Sequence, residues 1–300
     1  MPVAAHPGKQ RFDLRLIAAF FAIYILWGST FLAIRVAVLL APPWFCAGSR
    51  FFIAGSLLYA FMRLKGVPAP TAREWRTLAI IGGLMFAITY GALFWAEQFV
   101  PSGITSVLES TIPLITMLLE VFVLRQQRFR WSTVFALLIG FLGVAVIMLR
   151  AGNTRFGVLP CLVILGGSTA WSLGAVLTRS MKLPNSRPLT AGAEMMLGGS
   201  VLLALSFFSG EMHPFPHLPT KAILALIYLI TAGSLIGFSA FVYLLGRMPA
   251  SRVASHAYVN PVVAIALGYF VAAEPITLRT LLGATLVICS VVLTMRNNST

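Results

Sequence analysis

The feature that most constrains this chain is a succession of long apolar runs separated by short polar connections. A helix needs about 20 predominantly apolar residues to cross the hydrocarbon core of a bilayer. Ten such runs fill the chain, so we predict an all-α membrane protein with ten transmembrane helices. The predicted spans are Leu14 to Arg35, Trp44 to Met62, Arg76 to Gln98, Gly103 to Val123, Trp131 to Leu149, Gly157 to Thr178, Leu189 to Ser209, Thr220 to Leu245, Ser251 to Val271, and Leu278 to Met295.

Charge and composition agree with a membrane location. The residues are 59% hydrophobic and 10% charged, which is more apolar than a soluble core requires. In a soluble protein the net charge of +14 would suggest nucleic acid. Here sixteen of the 22 Lys and Arg residues fall on one side of the predicted topology. Because positive loops stay in the cytoplasm, we predict a bacterial inner (cell) membrane protein with both termini cytoplasmic and no nucleic-acid partner.

The chain also repeats itself, with two blocks of matching residues at offsets of 144 and 148. Each repeat holds five helices, an odd number, so the second copy must cross the membrane in the opposite sense to the first. Such inverted repeats are typical of secondary transporters. We predict a cytoplasmic tail at 1–13, five-helix repeats at 14–150 and 151–296, and a C-terminal tail at 297–300. The matches are Trp27 with Trp171, Arg35 with Arg179, Gly48 with Gly192, Gly55 with Gly199, Pro101 with Pro249, and Pro113 with Pro261.

Several short motifs resemble those of a known family. They are Leu26-Trp27-Gly28-Ser29, the Trp-Ala-Glu-Gln segment at 95–98, the Pro-Ser-Gly segment at 101–103, the two helical prolines, and Glu274. In order and duplication they resemble the ten-helix EamA-type members of the drug/metabolite transporter superfamily. The resemblance implies two EamA-like repeats, a cavity beside helices 1, 3, 4, 6, 8 and 9, and export of amino acids or similar small organic metabolites by alternating access.

Two positions depart from the pattern of this family. Gln126 stands where the first repeat often has an acidic residue, so an ion-pair role at that corner is doubtful. Glu109 stands where the family more commonly has a small apolar residue. A family mechanism therefore does not transfer directly to Glu109.

Helix 4 carries a polar stripe centred on Glu109. At about 100° per residue its members fall on one face of the helix, and lipid would leave them unsatisfied. We predict that the stripe lines a wet cavity, with a hydrogen-bonded helix interface as the alternative. Glu109 is the candidate for proton coupling or for binding a substrate ammonium group. The members are Ser102, Thr105, Ser106, Glu109, Pro113, Thr116 and Glu120.

Aromatic residues near the expected cavity are candidates for ring contacts with an organic substrate. Core packing is the alternative for each of them. Arg50 lies deep in helix 2 and needs an acceptor there, which is a substrate carboxylate on the functional interpretation and a neighbouring helix end on the structural one. The aromatic candidates are Trp27, Tyr90, Phe94, Trp171 and Tyr258.

Pro113 and Pro261 occupy equivalent places in helices 4 and 9. Proline lacks a backbone N–H and frees a carbonyl on the preceding turn. We predict that both are kinks, serving either as gating points or as static bends.

The sequence gives weaker support to function classes other than a secondary transporter. An intramembrane lipid-modifying enzyme would need paired acidic groups, and a passive facilitator or channel is the remaining alternative. We expect no enzyme activity, cofactor or metal; the partners are a small organic metabolite, membrane lipid and a proton as candidate coupling ion. The oligomeric state is open between a monomer and a homodimer.

Overall fold

The computed structural model describes residues 14–119, 131–151, 157–214, 216–245, 247, 253 and 256–297. The helices in these residues number ten, as predicted, and six of them are long and apolar enough to cross a membrane. The predicted ends are correct to within a few residues, except where spans run outside the described part. The helices are α1 Leu14–Val38, α2 Pro43–Leu64, α3 Ala72–Ala96, α4 Ser102–Leu118, α5 Trp131–Ala151, α6 Leu159–Ser180, α7 Arg187–Phe208, α8 Thr220–Leu245, α9 His256–Ala272 and α10 Leu278–Asn297.

The packing of the helices follows the inverted repeat. Helices equivalent between the repeats pack against each other in the pairs α2 with α7, α4 with α9, and α5 with α10. The remaining contacts come in related pairs: α1 packs on α8 as α6 packs on α3, and α1 packs on α9 as α6 packs on α4. Two five-helix repeats of opposite orientation therefore build one bundle, with α1, α3, α4, α6, α8 and α9 meeting in its centre.

The α2–α7 pair packs closely because glycines line its crossing. A Cβ added to Gly55 would lie 2.3 Å from the backbone nitrogen of Met196, and one added to Gly199 would lie 2.3 Å from that of Phe52. Gly55 and Gly199 are equivalent positions in the two repeats. Small residues let membrane helices approach to backbone contact, which favours dispersion and packing where lipid supplies no hydrophobic driving force.

Within the described residues, complete π-helical stretches lie in three central helices: Ala22–Leu26 in α1, Gly83–Ile88 in α3, and Leu229–Ile236 in α8. The stretches in α3 and α8 occupy equivalent places in the two repeats. Such stretches leave backbone carbonyls without their normal partners and occur often at functional sites.

Side chains from neighbouring helices satisfy these carbonyls. The Trp27 indole of α1 donates to the carbonyl of Gly233, in the α8 stretch, at 3.0 Å. With its amide nitrogen turned toward α1, Asn260 donates to the carbonyls of Ile23 and Tyr24 at 3.2 Å each. These cross-links fix α1, α8 and α9 to one another around the centre of the bundle.

Helix α4 is interrupted where α9 is not. Its first segment ends at Glu109 and its second begins at Ile112, with Pro113 as the second residue of that segment. The Ser172 hydroxyl of α6 donates to the Ile112 carbonyl at 3.2 Å. Pro261, in contrast, lies inside the continuous helix α9. The first-repeat proline thus starts a new segment after a break, and the break places Glu109 at a helix end.

Candidate functional site

Aromatic rings from four helices meet in the centre of the bundle. The chain of contacts runs from Trp27 to Phe238 (5.3 Å between ring centroids), from Phe238 to Phe86 (5.6 Å), and from Phe86 to Trp171 (6.1 Å). Tyr90 packs on Trp171 at 6.1 Å. We call these five residues the aromatic cluster. Trp27, Tyr90 and Trp171 remain partly accessible within it, so three of the five sequence-predicted rings come together in the aromatic cluster.

The two tryptophans of the cluster are held differently. The Trp27 indole nitrogen bonds the Gly233 carbonyl, and a Cβ added to Gly237 would lie 2.3 Å from that nitrogen. Trp171 makes ring contacts with Phe86 and Tyr90 but no hydrogen bond through its indole nitrogen within the described part of the chain. Trp27 is therefore held by a hydrogen bond through its indole nitrogen, whereas Trp171 is held by ring contacts.

Arg50 is buried beneath this cluster, with only 1% of its surface exposed. Its Nε donates to the Ser234 hydroxyl at 3.0 Å, and its guanidinium carbon lies 4.6 Å from the Phe51 ring and 5.4 Å from the Tyr90 ring. A side chain on Gly233 would crowd Nη2, at 3.0 Å from the added Cβ. Nη1 has no hydrogen-bond partner among the described residues. A buried guanidinium with an unused donor is suited to an anionic group.

Glu109 approaches the same region from α4. Its Oε1 accepts a hydrogen bond from the Ser168 hydroxyl of α6 at 3.0 Å, and its side chain is partly accessible. The Tyr90 hydroxyl lies within electrostatic range of both Arg50 and Glu109. The structure thus brings a cation and a carboxylate near one aromatic side chain.

The N-terminal part of the polar stripe on α4 is packed inside the protein. Ser102, Thr105 and Ser106 have at most 1% of their surface exposed. The Thr105 and Ser106 hydroxyls donate to carbonyls of their own helix, Pro101 at 3.1 Å and Gly103 at 2.7 Å. These three residues therefore follow the helix-interface alternative. Glu120 lies outside the described residues.

Phe94 and Tyr258 are the remaining aromatic candidates, and His256 of α9 lies beside the aromatic cluster. Phe94 is fully buried in a core region with Phe31, Leu93 and Leu202. Tyr258 lies in α9, and its side chain is outside the described residues. His256 bonds the Val253 carbonyl at 2.9 Å and packs its ring on Trp27.

Sequence reasoning missed Phe86, Ser168 and Ser234, which contact the predicted residues directly. Phe86 lies four residues before Tyr90 on the same helical face, a spacing that could have indicated it. The two serines stand in apolar helices where single hydroxyls are common, and no sequence signal distinguishes them.

A second polar group closes one end of the bundle. Arg35 donates through Nη1 to the carbonyls of Glu97 and Val100, the latter at 3.2 Å. Glu274, after α9, accepts hydrogen bonds at the start of α4 from the Ser102 backbone at 2.9 Å and from the Ser102 hydroxyl at 3.0 Å. We call this region, formed by these five residues, the Glu97 end.

Comparison with known proteins agrees with this architecture. The sequence model of the EamA-like transporter family matches residues 14–149 and again 158–296. The chain is 38% identical over 285 residues to the inner membrane transporter YedA of Escherichia coli (strain K12), covering 93% of this chain and 90% of that protein.

More distant relatives and one solved structure extend the comparison. A "probable terminal-alkyne amino-acid exporter" of Streptantibioticus cattleyicolor is 27% identical over 275 residues, covering 91% of this chain and 90% of the relative. A solved crystal structure superposes with a TM-score of 0.63 at 17% identity, covering 97% of this chain and all of that one, which shows a shared fold. With the family match in both repeats, the chain is a member of the EamA-like transporter family.

Proposed function

We propose that this membrane transporter exports amino acids or similar small zwitterionic metabolites by alternating access. The observation that carries the proposal is the placement of Arg50 and Glu109, opposite charges that both lie in electrostatic range of Tyr90 in the aromatic cluster. The exporter from Streptantibioticus cattleyicolor, whose name specifies an amino acid, supports the substrate class.

The chemistry of the two charged groups fits a zwitterion. The unused Nη1 of Arg50 is a charge-assisted donor for a carboxylate, and the Glu109 carboxylate accepts from an ammonium group. Each charge alone is costly to hold in the membrane interior. A ligand that carries both complementary charges offsets the two costs together, whereas a ligand with one charge leaves the other group unsatisfied. This favours amino acids over simple amines or acids.

The aromatic cluster supplies the rest of the binding surface. Trp171 and Tyr90 are partly accessible in the aromatic cluster. Such rings bind apolar side chains by burial and cations by their negative faces. Phe94 and Tyr258 remain sequence predictions as ring contacts.

Transport would follow from the inverted repeat. The site lies at the junction of the two repeats, where rocking of one repeat against the other exposes it to each side in turn. Pro113, the break in α4 and Pro261 are the proposed bending points, because α4 and α9 pack against each other across that junction. The basic asymmetry of the loops supports a bacterial inner membrane location with cytoplasmic termini.

The proposal is tested by reconstituting the protein in proteoliposomes and measuring counterflow of radiolabelled amino acids. Saturable counterflow for one or more zwitterions, absent from empty liposomes, is expected. Flux that is not accelerated by substrate on the opposite side would indicate a passive facilitator. Counterflow of other metabolites but of no zwitterion would reject the amino-acid assignment while leaving transport intact.

The role of Glu109 in coupling is tested with the same vesicles. If Glu109 exchanges a proton with the medium, Glu109→Gln loses accumulation driven by a pH gradient and keeps substrate exchange. If it binds the substrate ammonium group, Glu109→Gln loses both. Unimpaired pH-driven transport by the variant would exclude Glu109 from the mechanism.

A further inference from the structure

The carboxyl group of Glu97 is buried in the protein and has no hydrogen-bond partner among the residues that the structure describes. None of its surface is exposed, and neither Oε1 nor Oε2 accepts a hydrogen bond among the described residues. Val100 and Ser102, which follow it in the chain, are also fully buried. The Glu97 end is therefore closed over this carboxyl group.

The surrounding charges do not neutralise it directly. The charged groups within electrostatic range are Arg35 on α1, Arg50 on α2, Glu109 on α4 and Glu274 after α9. Arg35 uses its Nη1 on the carbonyls of Glu97 and Val100, not on the carboxyl group. Glu274 is engaged with the start of α4 and adds negative potential.

An ionised carboxylate in this position would be unfavourable. Burial of a charge without a hydrogen-bonding partner costs several kcal/mol, and the usual outcome is that the group takes up a proton. A metal cation is disfavoured because the Arg35 guanidinium lies beside the same segment. A neutral carboxyl group satisfies the closed geometry with the smallest penalty.

We propose that Glu97 is a proton-binding site, filled when the Glu97 end is closed and emptied when it opens. On opening, the proton passes to water at that end, and the carboxylate becomes hydrated and free to pair with Arg35. Closure of this end is thereby linked to pH on its own side of the membrane, independently of substrate. Acidic conditions favour the closed form and alkaline conditions the open one.

The test measures opening of the Glu97 end without any substrate. Val100→Cys is introduced into a background in which Cys46, Cys161 and Cys289 are replaced, and the purified protein is labelled with a charged maleimide between pH 5 and 8. Leu39→Cys, which is exposed in the neighbouring α1–α2 turn, corrects for thiol ionisation. The normalised rate for Val100→Cys is expected to rise by up to about tenfold per pH unit, as release of one proton requires.

Glu97 variants identify the group responsible. With Glu97→Gln, which cannot ionise, the Val100→Cys site is expected to stay protected at every pH. Glu97→Asp retains an acid and should retain the pH dependence, and Glu74→Gln, at the exposed start of α3, serves as the matched control. A Glu97→Gln protein that still opens with rising pH, wild-type labelling that does not change with pH, or opening controlled by Na⁺ would each overturn the proposal.

A second measurement needs only the conservative variant Glu97→Asp beside the wild type. Infrared spectra of the wild-type protein at neutral pH are expected to show the carbonyl stretch of a protonated carboxyl group, shifted in Glu97→Asp. Absence of any such band would contradict the proposal. Because neither experiment needs a substrate, the result stands apart from that of the transport assays.

Discussion

The two repeats share one framework but differ in chemistry at equivalent positions. Arg50 in α2 corresponds to Glu194 in α7, Tyr90 in α3 to Phe238 in α8, and Glu109 in α4 to Ala257 in α9. The groups proposed to bind the charged ends of the substrate thus belong to the first repeat. The second repeat contributes Ser168, which bonds Glu109, and Ser234, which bonds Arg50. It also contributes Trp171, which packs on Tyr90.

The difference shows how an inverted repeat can be made specific. Packing positions must match in both copies, because each copy packs against its own equivalent: Gly55 and Gly199 lie at backbone contact in the same helix pair. Residues of the aromatic cluster and the charged residues beside it do not pack against their own equivalents. They can diverge, and a binding site needs that divergence because a zwitterion presents two different charges.

The largest effect expected is on the stability of the two tryptophan positions. Trp27→Ala removes a half-buried ring and its hydrogen bond to Gly233, and should lower the free energy of unfolding by about 3 kcal/mol. Trp171→Ala, which loses no hydrogen bond within the described residues and leaves an accessible space, should cost clearly less. Unfolding in mixed micelles with increasing SDS measures both. Equal losses would remove the structural distinction between the repeats.

Transport should separate Arg50 from its equivalent Glu194. A hydrogen bond to a charged group contributes about 1.5–3 kcal/mol, so Arg50→Gln is expected to reduce substrate affinity by roughly 10- to 100-fold. Glu194→Gln should leave affinity nearly unchanged, since Glu194 is buried in α7 where the α7 backbone lies against Gly82 of α3. Competition counterflow measures both affinities. If Glu194→Gln is the more damaging variant, the binding chemistry does not lie in the first repeat.

The shared framework is tested at the glycines. Gly199→Ala places a methyl group against the Phe52 backbone, and overpacking of this kind costs about 1–3 kcal/mol. Gly166→Ala is the control, because no atom lies within 4 Å of the added methyl group. Unfolding curves of the two variants measure the difference in their stability. Equal stabilities would show that the α2–α7 crossing tolerates a wider spacing.

The smallest effect concerns the starts of α3 and α8, which are equivalent. A capping box joins Thr71 and Glu74 at the start of α3, whereas α8 follows Pro219, which has no side-chain cap. Hydrogen bonds from the Thr71 backbone and then its hydroxyl lower the pKa of Glu74. The stabilisation of the folded state by the capping box is therefore present at neutral pH. It is lost as the pH falls through the lowered pKa of Glu74. Thr71→Ala should raise the pKa of Glu74 in a carboxyl NMR titration, and an unchanged value would contradict the box.

Much of the framework could be predicted from the sequence. Apolar runs and matched residues at fixed offsets gave ten helices and the inverted repeat, because both depend on local composition and chain order. Trp27 and Trp171, which match in the sequence, both belong to the aromatic cluster, and their contact with a substrate stays a prediction. The polar stripe was misleading for Ser102, Thr105 and Ser106, because the Thr105 and Ser106 hydroxyls bond carbonyls of their own helix and the Ser102 hydroxyl bonds Glu274.

Other features depend on tertiary contacts that leave no local pattern. Ser168 and Ser234 acquire their roles only because α6 packs on α4 and α8 packs on α2. The break after Glu109 was predicted only as a kink at Pro113, since the sequence does not show that the Ser172 hydroxyl of α6 bonds the Ile112 carbonyl.

The most direct test of the account compares three ligands that differ in one charged group each. An amino acid that shows counterflow is competed with its amine analogue, which lacks the carboxylate, and with its acid analogue, which lacks the ammonium group. In the wild type the intact zwitterion should compete far better than either analogue. Measured as competition for binding to the purified variants, which requires no transport, Arg50→Gln should abolish the preference over the amine and Glu109→Gln the preference over the acid. If both variants keep the wild-type order of competition, neither residue binds the substrate and the central claim is wrong.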